Sequence, residues 1–258
     1  MQKSVLITGC SSGIGLAAAK TLHQRGYHVL AACRKSADLE HMRELGFEPI
    51  ELDLDDKDSV ERAAKRVIEV TSGRLFGLFN NGGFAVYGPL ESISREQMEK
   101  QFSTNFFGAH QLTNLLLPAI HAYGAGRIVQ TSSVMGLIST PNRGAYAASK
   151  YALEAWSDAL RAELAKTGIK VSLIEPGPIK TRFTENVNQT QKDHPVENPG
   201  LARRLTLMPE DVVAKLIHAL ESPNPKLRYS VTLLTYAAKL MRRILPERWL
   251  DKIVHKLS

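Results

Sequence analysis

Short apolar runs alternate along most of this chain with segments of helical periodicity. Residues 5–8, 28–32, 48–52, 75–80, 127–132 and 169–174 are four to six residues long, mostly apolar, and bounded by Gly, Asp, Asn or Pro. That is the pattern of strands buried on both faces. Between them, residues 13–25, 36–45, 56–71, 96–119 and 146–166 carry apolar positions three and four apart, clearest in Val60, Ala63, Ala64, Val67 and Ile68. Pro118 and the glycines near Gly124 are expected to close the 96–119 helix, and Gly168 the 146–166 helix. Strands and helices alternating on this rhythm predict βαβ units. The expected class is therefore α/β, a doubly wound parallel sheet with helices on both faces, built as a single domain over residues 1–258. Beyond residue 181 the rhythm loosens. Residues 183–204 are polar, include Pro195 and Pro199, and predict either a mobile lid or an ordinary surface loop. A helix over 209–220, a last strand over 227–231 and a basic amphipathic helix over 236–257, interrupted at Pro246, complete the chain.

The loops at the carboxyl ends of these strands carry the candidate chemistry, as open parallel sheets require. After the first strand comes Gly9-Cys10-Ser11-Ser12-Gly13-Ile14-Gly15, opening a helix. A strand, a glycine turn and a helix N-terminus in that order make an anion site, because free N–H groups and the helix dipole face whatever lies over the turn. Gly9 permits the turn, Gly13 lets a pyrophosphate approach, and Gly15 lets helix and strand pack closely. The fourth strand ends in Asn80-Asn81-Gly82-Gly83, the fifth in Ser132-Ser133 and the sixth in Pro176-Gly177-Pro178. Tyr146 and Lys150 stand four apart on one helix face, a phenol beside an ammonium, thirteen residues after Ser133. Asn105, a polar amide beside two phenylalanines within a helix, needs a reason to be there. At the end of the second strand, where a carboxylate would meet the 2′-hydroxyl of NAD, stand Cys33-Arg34-Lys35; Arg34 offers a 2′-phosphate a fork of donors, which favours NADP. Asp53, with Leu54 beside it, is either an acceptor for the adenine amino group or a helix cap.

Composition narrows the alternatives. A hydrophobic fraction of 43% and a charged fraction of 23% are those of an ordinary globular protein. Cys10 and Cys33 show no metal-ligand spacing and no disulfide framework, which points to a reducing compartment, the cytoplasm. Met1-Gln2-Lys3 runs straight into the first strand and leaves no room for a signal peptide, and no apolar run approaches the length of a membrane span. The net charge of +7 is concentrated in residues 226–258, with eight Lys or Arg against two acids. No nucleic-acid reading motif accompanies it. That tail could lie on an anionic membrane, bind an acidic partner, or pack on the domain as a solvated helix.

Taken together, T-G-x-x-x-G-I-G at residues 8–15, N-N-G-G at 80–83, N-x-x-G at 105–108, Ser133 with Y-x-x-x-K at 146–150, and P-G at 176–177 are similar to the motif set of the short-chain dehydrogenase/reductase family. The likeness covers roughly residues 3–182, and is strongest to bacterial NADP-dependent aldehyde reductases and the steroid and retinol dehydrogenase branch. It departs from the family pattern at Gly82, where the family has alanine. The resemblance implies a Rossmann-like fold, with a cofactor-binding and catalytic core over 1–181 and a substrate loop and C-terminal helical extension over 182–258. It implies a hydride passed between NADP(H) and a small-molecule carbonyl or alcohol, a hydrophobic aldehyde or ketone. Tyr146 would be the proton donor, its phenol brought down by a cationic Lys150; Lys150 would also hold the nicotinamide ribose. Ser133 would orient the substrate oxygen, and Asn105 would anchor a water linking Lys150 to solvent. Gly9, Ser11, Ser12, Gly13, Ile14, Gly15, Arg34, Asp53, Leu54, Asn81, Gly82, Pro176, Gly177, Ile179 and Thr181 would bind the cofactor. Phe84, Tyr87, Val134, Met135, Leu137 and Phe183 would form an apolar substrate pocket. A homo-oligomer is expected. The alternatives are a catalytically idle NADP-binding regulator or interaction module, and an epimerase or dehydratase on the same scaffold.

Overall fold

Seven parallel strands form the centre of the computed structural model, which describes residues 2–183, 185, 187, 200 and 204–256. In chain order they are β1 (Ser4–Thr8), β2 (His28–Cys33), β3 (Glu48–Glu51), β4 (Gly77–Asn80), β5 (Arg127–Thr131), β6 (Lys170–Glu175) and β7 (Arg228–Ser230). Their order across the sheet is β3-β2-β1-β4-β5-β6-β7. The chain winds outward from β1 to β3, then returns to the other side of β1 and winds outward again. A crevice therefore opens beyond the carboxyl ends of β1 and β4, where the connections part to opposite faces.

The period of two along each strand divides the core. Leu6 pairs with Leu30 and Leu78, and these face one layer with Ile128. Helices α3 (Lys57–Val70), α5 (Gly108–Tyr123) and α6 (Gly144–Glu163) cover it. Val5, Ile7, Val29, Ala31, Phe79 and Val129 face the other layer, closed by α1 (Gly13–Gln24), α2 (Ser36–Glu44) and α7 (Pro209–Glu221). Helices α4 (Arg95–Phe102), α8 (Leu233–Ile244) and α9 (Glu247–Lys256) complete the described chain. At the rim opposite the crevice, α1 and α2 end in the same way. Gly26 and Gly46 take left-handed φ of 81° and 82°, and the following N–H reaches back to Leu22 and Met42 carbonyls, a Schellman closure.

Three boundaries are corrected. The 96–119 segment is not one helix closed by Pro118. It is α4, a π-helical turn over Ser103–Phe107, and α5, with Pro118 inside α5. Pro118 is tolerated because it lies on the solvent side of α5, as does Asn114, whose carbonyl the missing N–H would have met. The last helical segment starts at Leu233 rather than 236, because the Thr232 hydroxyl accepts from Thr235 N at 3.3 Å and caps it. The fourth strand is shorter than 75–80, since Leu75 N donates to the Ala119 carbonyl of α5. The expected lid or loop over 183–204 falls mostly outside the described residues.

Candidate active site

The carboxyl-end loops converge on one cleft of about 290 Å³. The turn after β1 is fastened to β2 by Gly9 N and Cys10 N, which both donate to the Ala32 carbonyl at 3.1 and 3.0 Å. Gly9 is needed by position as well as by its φ of 74°, for a Cβ there would stand 2.9 Å from Gly82 Cα. Ser12 begins α1 in extended conformation, no side chain caps the helix, and no acid occupies its first turn. The positive end of α1 thus faces the cleft uncompensated by the chain's own carboxylates. The loop after β4 is pinned to β1: Thr8 Oγ1 accepts from Asn81 N and Gly82 N at 2.9 and 2.8 Å, and Asn81 Nδ2 donates to the Thr8 carbonyl. The loops after β5 and β6 are tied together by Val134 N, which donates to the Pro176 carbonyl at 2.7 Å.

Helix α6 presents Tyr146 and Lys150 to this cleft, both buried. Tyr146 packs edge-on against Tyr87, centroids 5.9 Å apart, and lies 5.8 Å from Phe183. Burial drives its phenol well above the ordinary value; the hydrogen bond with Ser133 and the charge of Arg143 pull the other way. Lys150 Nζ donates to the Thr131 carbonyl at 2.7 Å and stands 5.7 Å from the Tyr146 ring centre. Burial pushes its ammonium down to about 8, against the attraction of Glu154 one turn along. The expected lowering of the phenol by Lys150 is not found: Ser133 and Arg143 are the groups that draw it down, and desolvation outweighs them. Ser133 Oγ also accepts from Met135 N at 3.1 Å, which fixes its direction.

Asn105 is held by loop backbone rather than by helix backbone. Its Oδ1 accepts from Phe84 N at 3.0 Å, and its Nδ2 donates to the Phe84 carbonyl at 2.9 Å and to Ser149 Oγ at 3.2 Å. The π-helical turn gives the extra residue that aims this amide inward. Gln101, which sequence reasoning passed over, acts alongside it, accepting from Val86 N at 2.6 Å and donating to the Phe84 carbonyl. Only its spacing of four from Asn105 hinted at a shared face.

Of the residues expected at the site, Gly9, Ser11, Ser12, Gly13, Ile14, Asn81, Gly82, Ser133, Tyr146, Lys150, Pro176, Gly177, Ile179 and Thr181 line the cleft. Five do not. Gly15 lies beneath the turn, where a Cβ would collide with the Gly9 carbonyl. Arg34 is exposed at the end of β2, two residues beyond the carbonyl that fastens the glycine turn. Asp53 makes its own turn, accepting from Asp55 N at 3.1 Å, and Asp56 rather than Asp53 caps α3. Leu54 packs under Gly82 and against Gly108, and Asn105 supports the loop from behind. Tyr87, Val134, Met135 and Phe183 line the apolar part, but Phe84 and Leu137 do not. Phe84 is engaged through its peptide, and the Leu137 carbonyl takes the Tyr151 hydroxyl at 2.6 Å. Arg143 is an unanticipated wall residue, its guanidinium 5.5 Å from the Tyr87 ring centre. Asp38, in the first turn of α2, is near enough to raise the Cys33 thiol, already raised by burial, to about 12.

A family model described as short chain dehydrogenase matches residues 3–192. The Escherichia coli (strain K12) protein described as uncharacterized oxidoreductase YbbO is 66% identical over 254 residues, covering 98% of this chain and 94% of that one. An NADPH-dependent 3-dehydrocapnine reductase of Ornithobacterium rhinotracheale is 33% identical, covering 97% and 95%. Among solved structures, a single-substitution variant of actinorhodin polyketide ketoreductase with NADPH superposes with a TM-score of 0.80 at 26% identity, over 89% of this chain and 95% of that one.

Proposed function

Because the chain belongs to the short-chain dehydrogenase family and is an oxidoreductase of that family, we propose that it is an NADP(H)-dependent reductase of hydrophobic aldehydes or ketones. The observation that carries this is the sharing of one cleft by the uncapped start of α1 and the Ser133–Tyr146–Lys150 group. An uncompensated helix N-terminus beside close-packed glycines fits the pyrophosphate of a dinucleotide. Bound there, the dinucleotide would supply the hydride. The N–H groups of residues 11–14 would hold its phosphates, Asp53 and Leu54 would flank the adenine, and Asn81, Gly82, Pro176, Gly177, Ile179 and Thr181 would enclose the nicotinamide half. Arg34 would take a 2′-phosphate. The names of the capnine relative and the ketoreductase structure both carry NADPH, which supports that choice of cofactor.

Reduction is the direction that uses Tyr146 as burial leaves it, protonated and ready to give its proton to a developing alkoxide. Ser133, which lines the same cleft as the phenol and is steered by Met135 N, would direct the carbonyl oxygen towards it. Lys150 would stabilise the phenolate left behind. Asn105 keeps a lone pair on Oδ1. A Cβ added at Gly83 would stand 3.0 Å from that atom and 3.9 Å from Lys150 Nζ, so the missing side chain leaves room between the two. A water held there would return the proton. Tyr87, Val134, Met135 and Phe183 give the substrate an apolar wall. The test is NADPH consumption against medium-chain, aromatic and retinoid aldehydes. Tyr146→Phe should lower turnover by roughly 10²–10⁴-fold with dinucleotide binding intact, the usual contribution of a positioned acid. Turnover unchanged in that variant would remove Tyr146 from the chemistry.

A further inference from the structure

Helix α8 shows its apolar side to solvent. Thr235 and Ala238 turn inward and are buried, Ala238 in the cluster that holds Met135, Ile138 and Tyr146. Leu233, Tyr236, Leu240 and Ile244, spaced to share the opposite face, are 66%, 53%, 59% and 66% exposed, and Trp249 at the start of α9 is 64% exposed. Exposed apolar residues are ordinary when scattered; a continuous outward row marks a surface that is covered in use.

Charge identifies what covers it. Arg243 borders the row on α8, and Arg248, Lys252 and Lys256 follow on α9, against Glu247 and Asp251 on that same helix. Arg242 is spent on the body of the protein, donating to the Leu137 carbonyl and to the Tyr151 hydroxyl, and Lys239 stands 3.6 Å from buried Glu175. These ties hold α8 flat with its apolar row outward. At twelve residues the helix is about 18 Å long, and no described helix is long and apolar enough to cross a membrane. We propose that α8 and α9 dock in the plane of an anionic lipid bilayer. Leu233, Leu240, Ile244 and Trp249 enter the boundary between headgroups and acyl chains, and Arg243, Arg248 and Lys252 meet lipid phosphates. A second copy seated face to face would bring two basic rims together, which like charge opposes. Because the inner side of α8 abuts the Tyr146 cluster, docking holds the substrate wall of the cleft beside the lipid. That last consequence rests on the function proposed above; docking itself does not.

The test uses the full chain and vesicles of phosphatidylcholine, alone or mixed with phosphatidylglycerol. The protein should sediment with the mixed vesicles and be released by added salt, and Trp249 emission should shift to the blue, a shift lost in Trp249→Phe. Replacing Leu240 and Ile244 together by Glu should weaken partitioning roughly tenfold or more, with reduction of a small water-soluble aldehyde unchanged. Protein left in the supernatant with anionic vesicles at low salt, or equal sedimentation of the double variant, overturns the proposal. So does a fall in solution mass in that variant where the native chain never sediments, since the row would then belong to a second copy. Sedimentation needs no turnover, so the reading of the cleft can fail without it.

Discussion

Burial moves Tyr146 and Lys150 towards the same condition, loss of charge, although one is an acid and the other a base. The phenol is raised, and the ammonium falls from 10.5 to about 8. For Lys150 the sign of the stability effect follows from proton counting. Below about pH 8 both folded and unfolded chains hold the proton, and the folded chain bears the full cost of desolvating it. From there to about 10.5 the unfolded chain keeps a proton that the folded chain has released, so this group adds stability as pH rises. Lys150→Met should therefore be most stabilising, relative to the native chain, near pH 7, and that advantage should shrink by roughly 3 kcal/mol by pH 10.5. Urea unfolding at the two pH values measures it; a pH-independent difference would show that the ammonium is not desolvated. Arg34 tests the other end of the cleft. Arg34→Ala should weaken NADPH binding by roughly tenfold or more and leave NADH nearly unchanged, the loss of a charge-assisted fork; equal losses by calorimetry would sink the 2′-phosphate assignment. Tyr146, Lys150 and Ser133 could be read from the sequence because helix spacing and a strand end fix them locally. Arg143 could not, since its place depends on Tyr87, far away in the chain.

Among the elements, the α4–α5 region shows where a helical rhythm misleads. Its apolar spacing is continuous enough to suggest a single helix, and the π-helical turn is imposed from outside, by the bonds of Asn105 to Phe84, 21 residues earlier. Gly108 follows at once, and a Cβ on it would fall inside the van der Waals shell of the Leu54 carbonyl. Gly108→Ala should cost about 1–3 kcal/mol by forcing α5 away from the loop after β3, because the obstacle is backbone and cannot rotate aside. Thermal unfolding decides this: an unchanged midpoint would mean that the helix slides freely. The sheet itself was legible, strand by strand, because buried parallel strands announce themselves by composition. Boundaries were less so, since Leu75 N and the Thr232 cap are settled by partners distant in sequence or by one hydroxyl.

Across the molecule, the second half of the sheet is joined to its helices by buried charge. Arg228 of β7 reaches Glu154 and Asp158 of α6 at 2.9 and 2.6 Å and Glu175 of β6 at 3.4 Å, while Lys239 of α8 approaches Glu175 from the other side. Arg228→Met leaves buried Glu154 without its cation and buried Glu175 with Lys239 alone, and should cost about 3–5 kcal/mol. Chemical denaturation measures this loss, which added salt should reduce only in part, because Glu154 and Glu175 are buried while Asp158 and Lys239 reach solvent; a loss below about 1 kcal/mol would show that the network contributes no more than an exposed pair does. None of this touches the far rim, where α1 and α2 close at Gly26 and Gly46. Since every strand points its carboxyl end at the cleft, the amino ends answer only to packing. The space beside Gly26 is open, nothing lying within 4 Å of an added Cβ, although its φ of 81° reserves that one position for glycine. That rim is where the chain can be lengthened, fused or rewired into new termini, its reactive end remaining indifferent to the change.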